Sequence, residues 1–151
     1  MAHASITASA VIRAPAPRVY RILADYRQHH PRIVPPEYFR KIEVEEGGVG
    51  AGTRTRVEMR ILGATRRFVH VIREPEPGRV LQEVDAQGFS TTTFIVDPVD
   101  QGSSAKVTIQ TAFTSSHGVR GAIERLLTAS VLRRIYVKEL ARLDRYAATL
   151  V

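Results

Sequence analysis

The sequence of residues 40–61, RKIEVEEGGVGAGTRTRVEMRI, contains two alternating segments separated by a glycine-rich stretch. In the second segment Thr55, Val57 and Met59 share one face, and arginine and glutamate side chains occupy the other. A period of two residues is typical of a strand with one buried and one solvated face. This stretch therefore predicts an antiparallel hairpin whose turn lies at residues 47–52.

The glycines of this turn do not predict a phosphate-binding loop. A dinucleotide-binding fingerprint needs a helix directly after its glycines, because the helix N-terminus holds the pyrophosphate. A strand follows here, and no Gly-Lys-Ser/Thr sequence occurs in the chain. We therefore expect no nucleotide site and no cofactor.

Four more strand-like segments follow the hairpin, at residues 65–74, 80–85, 89–97 and 105–113. Short stretches with the glycine or proline that tight turns need separate these segments. Together with the hairpin they predict a meander of six strands. The β-branched and small residues at positions 4–13 predict a seventh strand at the start of the chain.

Helices are predicted in two places. Residues 17–24 place Val19, Tyr20 and Leu23 on one face of a short helix, and residues 25–36 predict a second short helix that runs into a loop. Residues 119–150 contain no proline and predict one long C-terminal helix. The predicted fold class is α+β: a seven-stranded antiparallel sheet wrapped around a long helix, as a single domain over residues 1–151.

The composition narrows the class of protein. The chain has 151 residues, of which 44% are hydrophobic and 25% are charged, and no apolar stretch reaches the ~20 residues that a membrane span needs. Cysteine is absent, which excludes disulfides, zinc ribbons and thiol nucleophiles. The first residues lack the pattern of a secretory signal, so we expect a cytoplasmic location.

The formal net charge is +7, which raises the possibility of an anionic partner such as RNA. Arginines concentrate in residues 53–73 and again in the C-terminal segment. However, they alternate with apolar residues and never form a basic run longer than two residues, which is typical of solvated strand and helix faces. We do not expect a nucleic-acid partner, although an RNA- or ribosome-associated role remains an alternative.

No catalytic or metal-binding motif is evident. The five histidines lack the spacing of metal ligands, and no Gly-x-Ser-x-Gly elbow is present. His70 lies within an otherwise apolar strand, where it is either a structural histidine or a polar group inside a ligand pocket. We therefore predict no catalytic residue and no metal site.

A sheet folded around one helix leaves space for a ligand between them, and apolar inward faces with a few threonines suit an amphipathic small molecule. Strand alternation determines which residues face this space, because unpaired charged neighbours are costly to bury. The predicted binding residues at the mouth are Tyr26, Ile33 and Phe39. On the strands they are Thr55, Val57, Met59, Phe68, His70, Phe94, Ile109 and Thr111, and on the long helix Leu127, Val131 and Ile135.

Several short motifs carry a family resemblance: IRAPAPRVY at residues 12–20, LADY at residues 23–26, GAGT at residues 50–53 and EPGR at residues 76–79. With the order of elements, they resemble the START-like, helix-grip superfamily, in its polyketide cyclase/dehydrase and lipid-transport branch. The resemblance implies a deep apolar cavity between the long helix and the loops. It implies no single reaction, since fold analogy does not determine function.

The leading functional hypothesis is therefore binding or transport of a hydrophobic small molecule, such as a lipid, a quinone or a polyketide-like aromatic. The alternative is a cyclase or dehydratase with His70 as general acid/base.

Overall fold

The computed structural model describes the backbone of residues 3–114 and 118–150, and the side chains of residues 5–113 and 129–150. Within these residues, seven strands form one antiparallel sheet in the order β1-β7-β6-β5-β4-β3-β2. This order confirms the predicted meander of six strands with the first strand added at the edge beside β7. The strands are β1 (His3–Ile12), β2 (Phe39–Glu46), β3 (Arg54–Ile61), β4 (Ala64–Glu76), β5 (Val80–Asp85), β6 (Ser90–Val99) and β7 (Ser104–Thr114).

Three helices complete the predicted architecture: α1 (Ala16–Ala24), α2 (His30–Ile33) and the long α3 (Gly118–Thr149). Pro17 lies in the first turn of α1, where the missing N–H of proline breaks no helical hydrogen bond. The long helix packs against β1 and against both short helices. In the part of the chain that is described, no helix is both long and apolar enough to span a bilayer.

The alternation of β3 matches its burial. Thr55, Val57 and Met59 are buried, whereas Arg56 and Arg60 are exposed on the opposite face. The inner face of the sheet forms the hydrophobic core together with α1 and the second half of α3. The core stabilises the fold by removing these apolar side chains from water.

The outer arginines have acidic neighbours. The guanidinium of Arg56 lies 3.2 Å from the Glu45 carboxylate, and that of Arg67 lies 3.2 Å from Glu58. Exposed ion pairs of this kind add little to stability. They do neutralise part of the basic segment at residues 53–73.

The glycine-rich turn between β2 and β3 attaches α1 to the sheet. The backbone N–H of Tyr26 donates to the carbonyl of Gly48 at 2.8 Å, and the N–H of Gly50 donates to the carbonyl of Ala24 at 2.9 Å. Because these bonds place the end of α1 over the sheet, they also place Tyr26 and the following residues above its inner face.

The Glu74 carboxylate reinforces this attachment. One oxygen accepts a hydrogen bond from the backbone N–H of Ala51 at 2.7 Å, and the other accepts from the Tyr20 hydroxyl at 2.6 Å. Burial raises the pKa of Tyr20, and the bond to Glu74 raises it further. A single side chain of β4 thereby joins the turn to α1.

Replacement of Gly50 by alanine should test this attachment. Gly50 has φ +69°, and a Cβ there would lie 2.3 Å from the Glu74 carboxylate, whereas Gly52 has φ +89° with open space around it. A left-handed alanine costs about 1–2 kcal/mol at either site. Gly50→Ala should lose about 1 kcal/mol more than Gly52→Ala in urea unfolding, because Glu74 must also release Ala51. Equal losses would show that the Glu74 contact contributes nothing to stability.

Candidate ligand-binding cavity

A row of polar side chains crosses the inner face of the sheet. Thr111 of β7 pairs with Thr92 of β6, and Thr92 pairs with Glu83 of β5, so the three residues are neighbours on successive strands. The Thr92 and Thr111 hydroxyls are 2.8 Å apart, and the Thr111 hydroxyl is 2.5 Å from that of Tyr136 on α3. This polar row links the sheet to the long helix through the core.

Glu83 lies at the centre of the polar groups. Its carboxylate accepts a hydrogen bond from the Tyr26 hydroxyl at 2.8 Å. The same carboxylate lies 3.6 Å from His30 Nε2 and 3.7 Å from His70 Nδ1. A buried carboxylate needs partners of this kind, because an isolated charge is expensive to remove from water.

His30 is oriented by contacts on three sides. Its Nδ1 donates to the backbone carbonyl of Leu23 at 2.7 Å, so Nδ1 carries the proton and Nε2 faces Glu83. The ring stacks on Tyr26 with 4.4 Å between centroids and meets the Phe94 ring edge-on at 5.7 Å. Packing and hydrogen bonding together therefore hold this imidazole in one orientation.

Glu139 of α3 brings a second carboxyl group to the same space. It is only 3% exposed, and its burial, followed by the negative charge of Glu83, raises its pKa well above the usual glutamate value. Burial likewise raises the pKa of Tyr136 to about 12, and burial and Glu83 raise that of Tyr26. Each of these shifts favours the neutral form of the group, because burial penalises the charged form.

These groups surround a cavity of about 300 Å³ between the inner face of the sheet, α2 and α3. Its polar lining includes Glu83, Glu139, both histidines and the hydroxyls of the polar row. The rest of the wall is apolar, with Phe39, Val57, Met59, Phe68, Phe94 and Phe113 among its residues. An apolar cavity with a few convergent polar groups is the usual form of a small-molecule site.

The sequence of the chain matches the sequence model of the polyketide cyclase / dehydrase and lipid transport family over residues 3–148. The chain belongs to this family. The resemblance to START-like proteins is thus confirmed. Membership in this family is compatible with the binding of a hydrophobic ligand. Among curated proteins, none matches the sequence significantly.

Solved structures of this fold superimpose over nearly the whole chain. The NMR solution structure of the KanY protein gives a TM-score of 0.84 at 25% identity, over 98% of this chain and 99% of that chain. The Zhui aromatase/cyclase from a Streptomyces species gives 0.78 at 17% identity, over 97% and 94%. A START superfamily protein from Mycobacterium smegmatis gives 0.73 at 17% identity, over 99% and 100%. At 17% identity, the similarity to the last two structures shows the fold alone.

Many of the residues predicted from the sequence meet at the cavity. Its wall includes Tyr26, Phe39, Thr55, Val57, Met59, Phe68, His70, Phe94 and Thr111. The inward face of β4 carries Phe68 and His70, whose rings stack with 5.9 Å between centroids. A ligand-binding role for these residues stays a prediction.

Other predicted residues are not part of the cavity wall. Ile33, Ile109 and Ile135 are fully buried in the packed core, and Val131 is half-buried against it. The side chain of Leu127 lies outside the described residues. On α3 the cavity is lined instead by Leu132, Tyr136 and Glu139, because a rotation of about 100° per residue turns Val131 and Ile135 away from the face that their neighbours present.

The polar cavity residues that were not predicted from the sequence include His30, Glu83, Tyr136 and Glu139. Both glutamates were expected on the outer surface, because charged side chains usually face solvent. A signal was nevertheless present in the spacing. Glu83 lies two residues after Leu81 and so shares its face of β5, and Glu139 lies three residues after Tyr136 on the apolar stripe of α3. Within the described part of the chain, no group of three His, Asp or Glu side chains is arranged to hold a metal ion.

The raised pKa of Glu139 predicts how stability depends on pH. The unfolded chain ionises this group near pH 4.3, whereas the folded protein keeps it protonated to higher pH. Between these two pKa values the folded state binds the extra proton, so the free energy of unfolding falls as pH rises. The loss attributable to Glu139 is complete once the pH exceeds the folded pKa.

Glu139→Gln should remove this part of the pH dependence. Urea unfolding at a series of pH values, compared between the native chain and the variant, isolates Glu139 because the histidines and Glu83 are present in both. The variant should gain stability relative to the native chain as pH rises above about 4.3. A constant difference between the two curves would mean that Glu139 titrates normally in the folded protein.

Proposed function

We propose that the protein binds a compact hydrophobic small molecule with a polar end, such as a lipid, a quinone or a polyketide-like aromatic, inside this cavity. The observation that carries the proposal is a mainly apolar cavity wall with a few convergent polar groups, among them the polar row of Glu83, Thr92 and Thr111. Apolar surface supplies the affinity for such a ligand, and the few polar groups orient it. Family membership is compatible with this role.

The size and shape of the cavity support a compact ligand. Its volume of about 300 Å³ is at the lower end of the ~300–1,000 Å³ range of ligand sites. The paired rings of Phe68 and His70, inclined by 11°, and of Tyr26 and His30, inclined by 14°, offer flat surfaces. Aromatic rings prefer offset-stacked or edge-on contacts, so a planar ligand fits this wall well.

Enlarging a cavity residue should block the ligand. Leu132 lines the cavity and its neighbour Val131 does not, although both are half-buried on α3. Leu132→Trp should weaken the binding of naphthalenemethanol at least about tenfold, while Val131→Trp should leave it within about twofold. Isothermal titration calorimetry measures both affinities, and thermal unfolding checks that each variant is folded.

Native mass spectrometry of freshly purified protein, followed by organic extraction, tests the proposal independently. We expect a hydrophobic molecule to be released, or naphthalenemethanol to bind to the empty protein. Absence of both would reject the proposed function. Equal effects of the two tryptophan variants would show that binding occurs elsewhere than in this cavity.

The position of His70 beside Glu83 favours a second candidate function, a dehydratase or cyclase reaction. Dehydration of a β-hydroxy ketone needs a base for the carbon-bound proton and an acid for the departing hydroxyl. His70, oriented by Glu83, suits the role of base, and Glu139, whose pKa is raised, suits that of acid. The products are the conjugated ketone and water, and the proton taken by His70 replaces the one that Glu139 donates.

A naphthyl-substituted β-hydroxy ketone tests this second candidate, because its dehydration extends the chromophore and changes the ultraviolet absorbance. His70→Gln should lower the rate by about 10²–10⁴-fold, the usual contribution of a general base. The affinity for naphthalenemethanol should change little in the same variant. If the native chain does not accelerate the reaction, or if His70→Gln retains the full rate, His70 is not a catalytic base.

A further inference from the structure

We infer that the cavity selects ligands that carry a protonated amine, held between the carboxyl groups of Glu83 and Glu139. The inference rests on the proposed function and specifies the chemistry of the polar end of the ligand. It is drawn from three features of the cavity: the position of two carboxyl groups, the kinds of charge along the wall and the hydrogen-bonding capacity of an ammonium group.

The first feature is the unusual position of Glu139. The residue is only 3% exposed, and it lines the cavity. No hydrogen bond joins its carboxyl to another described side chain, in contrast to Glu83, which accepts from Tyr26. Because Glu139 lines the cavity, a ligand that provides a donor at this position can bond to its carboxyl.

The second feature is the charge of the wall. The chain has 22 lysines and arginines, yet no lysine or arginine is among the described residues that line the cavity. The titratable groups that face Glu139 there are Glu83 from β5, His70 from β4, His30 from α2, Tyr26 from the segment before α2, and Tyr136 from α3 itself. A carboxylate or phosphate group would therefore meet two carboxyls and, at most, two histidines.

The third feature is the match with an ammonium group, which has three N–H donors and no acceptor. Glu83 and Glu139 supply carboxylate acceptors from opposite sides of the cavity, on the sheet and on α3. The aromatic rings of Tyr26, Phe68 and Phe94 lie in the same wall, and aromatic faces attract cations. An alcohol of the same shape can form neutral hydrogen bonds. It lacks the attraction of a positive charge to the carboxylates and to the aromatic faces.

Binding of a cation has a consequence for the proton on Glu139. Burial and the negative charge of Glu83 raise the pKa of Glu139, so the empty cavity favours the protonated carboxyl. An ammonium group placed beside it reverses that balance by stabilising the carboxylate. Amine binding should consequently release any proton that Glu139 still holds, whereas binding of a neutral ligand should release none.

Three probes with the same ring system test the inference: naphthylmethylammonium, naphthalenemethanol and naphthoate at pH 7. The chain contains no tryptophan, so the emission of the naphthalene ring can be followed against a low protein background. The ammonium probe should bind at least about tenfold tighter than the alcohol, and naphthoate should bind the weakest of the three, since a charge-assisted hydrogen bond is stronger than a neutral one.

Glu139→Gln keeps the shape of the side chain and removes its charge. The variant should lose at least about tenfold in affinity for the ammonium probe and stay within about twofold for the alcohol. Glu37→Gln is a matched control, because it makes the same change of net charge at an exposed residue that pairs with Lys138 and does not line the cavity. It should leave all three affinities unchanged.

Calorimetry in two buffers with different ionisation enthalpies measures the proton released by the native chain. This result does not depend on whether Glu139→Gln folds. A released proton with the ammonium probe, and none with the alcohol, supports the inference. A tighter complex with naphthoate, or equal affinities for amine and alcohol, would each overturn it.

The same titrations separate the two proposals. If the alcohol binds and the amine shows no preference, the cavity is a ligand site but the inferred selectivity is wrong. If none of the three probes binds, the proposed function fails together with the inference. If the Glu37 and Glu139 variants lose the same amount of amine affinity, the effect comes from overall charge and the inference is wrong.

Discussion

The position of the half-buried Glu83 carboxyl on the inner face of the sheet is the constraint on which the interior of this protein depends. A carboxylate on the inner face of a sheet is stable only if other groups replace the water that it loses. Tyr26 and His30 come from the segment after α1, and His70 comes from β4, to meet this requirement. Contacts to this one carboxyl thus connect α2 and the end of α1 to the inner face of the sheet.

The attachment of α1 to the glycine-rich turn helps to place Tyr26 beside Glu83. Backbone bonds at Gly48 and Gly50, together with the Glu74 bridge, place Tyr26 where its hydroxyl reaches Glu83. Stability and binding therefore share their contacts in this region of the fold. Glu139 contributes nothing comparable to stability, since its carboxyl is buried with a raised pKa. A buried carboxyl lowers the stability of the fold, and such unfavourable features are expected at functional sites.

Much of the fold could be predicted from the sequence because its periodicities are strong. The alternation around Val57 and the glycine or proline in each turn define the strands, and the proline-free C-terminal segment defines α3. The same alternation places Thr55, Met59 and Thr111 on the inner face. Glu83 follows this alternation too, since it shares a face of β5 with Leu81, but the usual expectation that charged residues face solvent is wrong for it.

The sequence by itself determined which residues of β3 and β7 point inward, since side chains alternate whatever the surroundings of the strand. Only the tertiary structure decided which inward residues pack tightly and which line open space. Ile109 and Phe94 are both inward-facing and buried, yet only Phe94 borders the cavity. The difference depends on the distance and rotation of α3 relative to the sheet, and long-range packing sets both. For the same reason Leu132, Tyr136 and Glu139 face the cavity while Val131 and Ile135 do not.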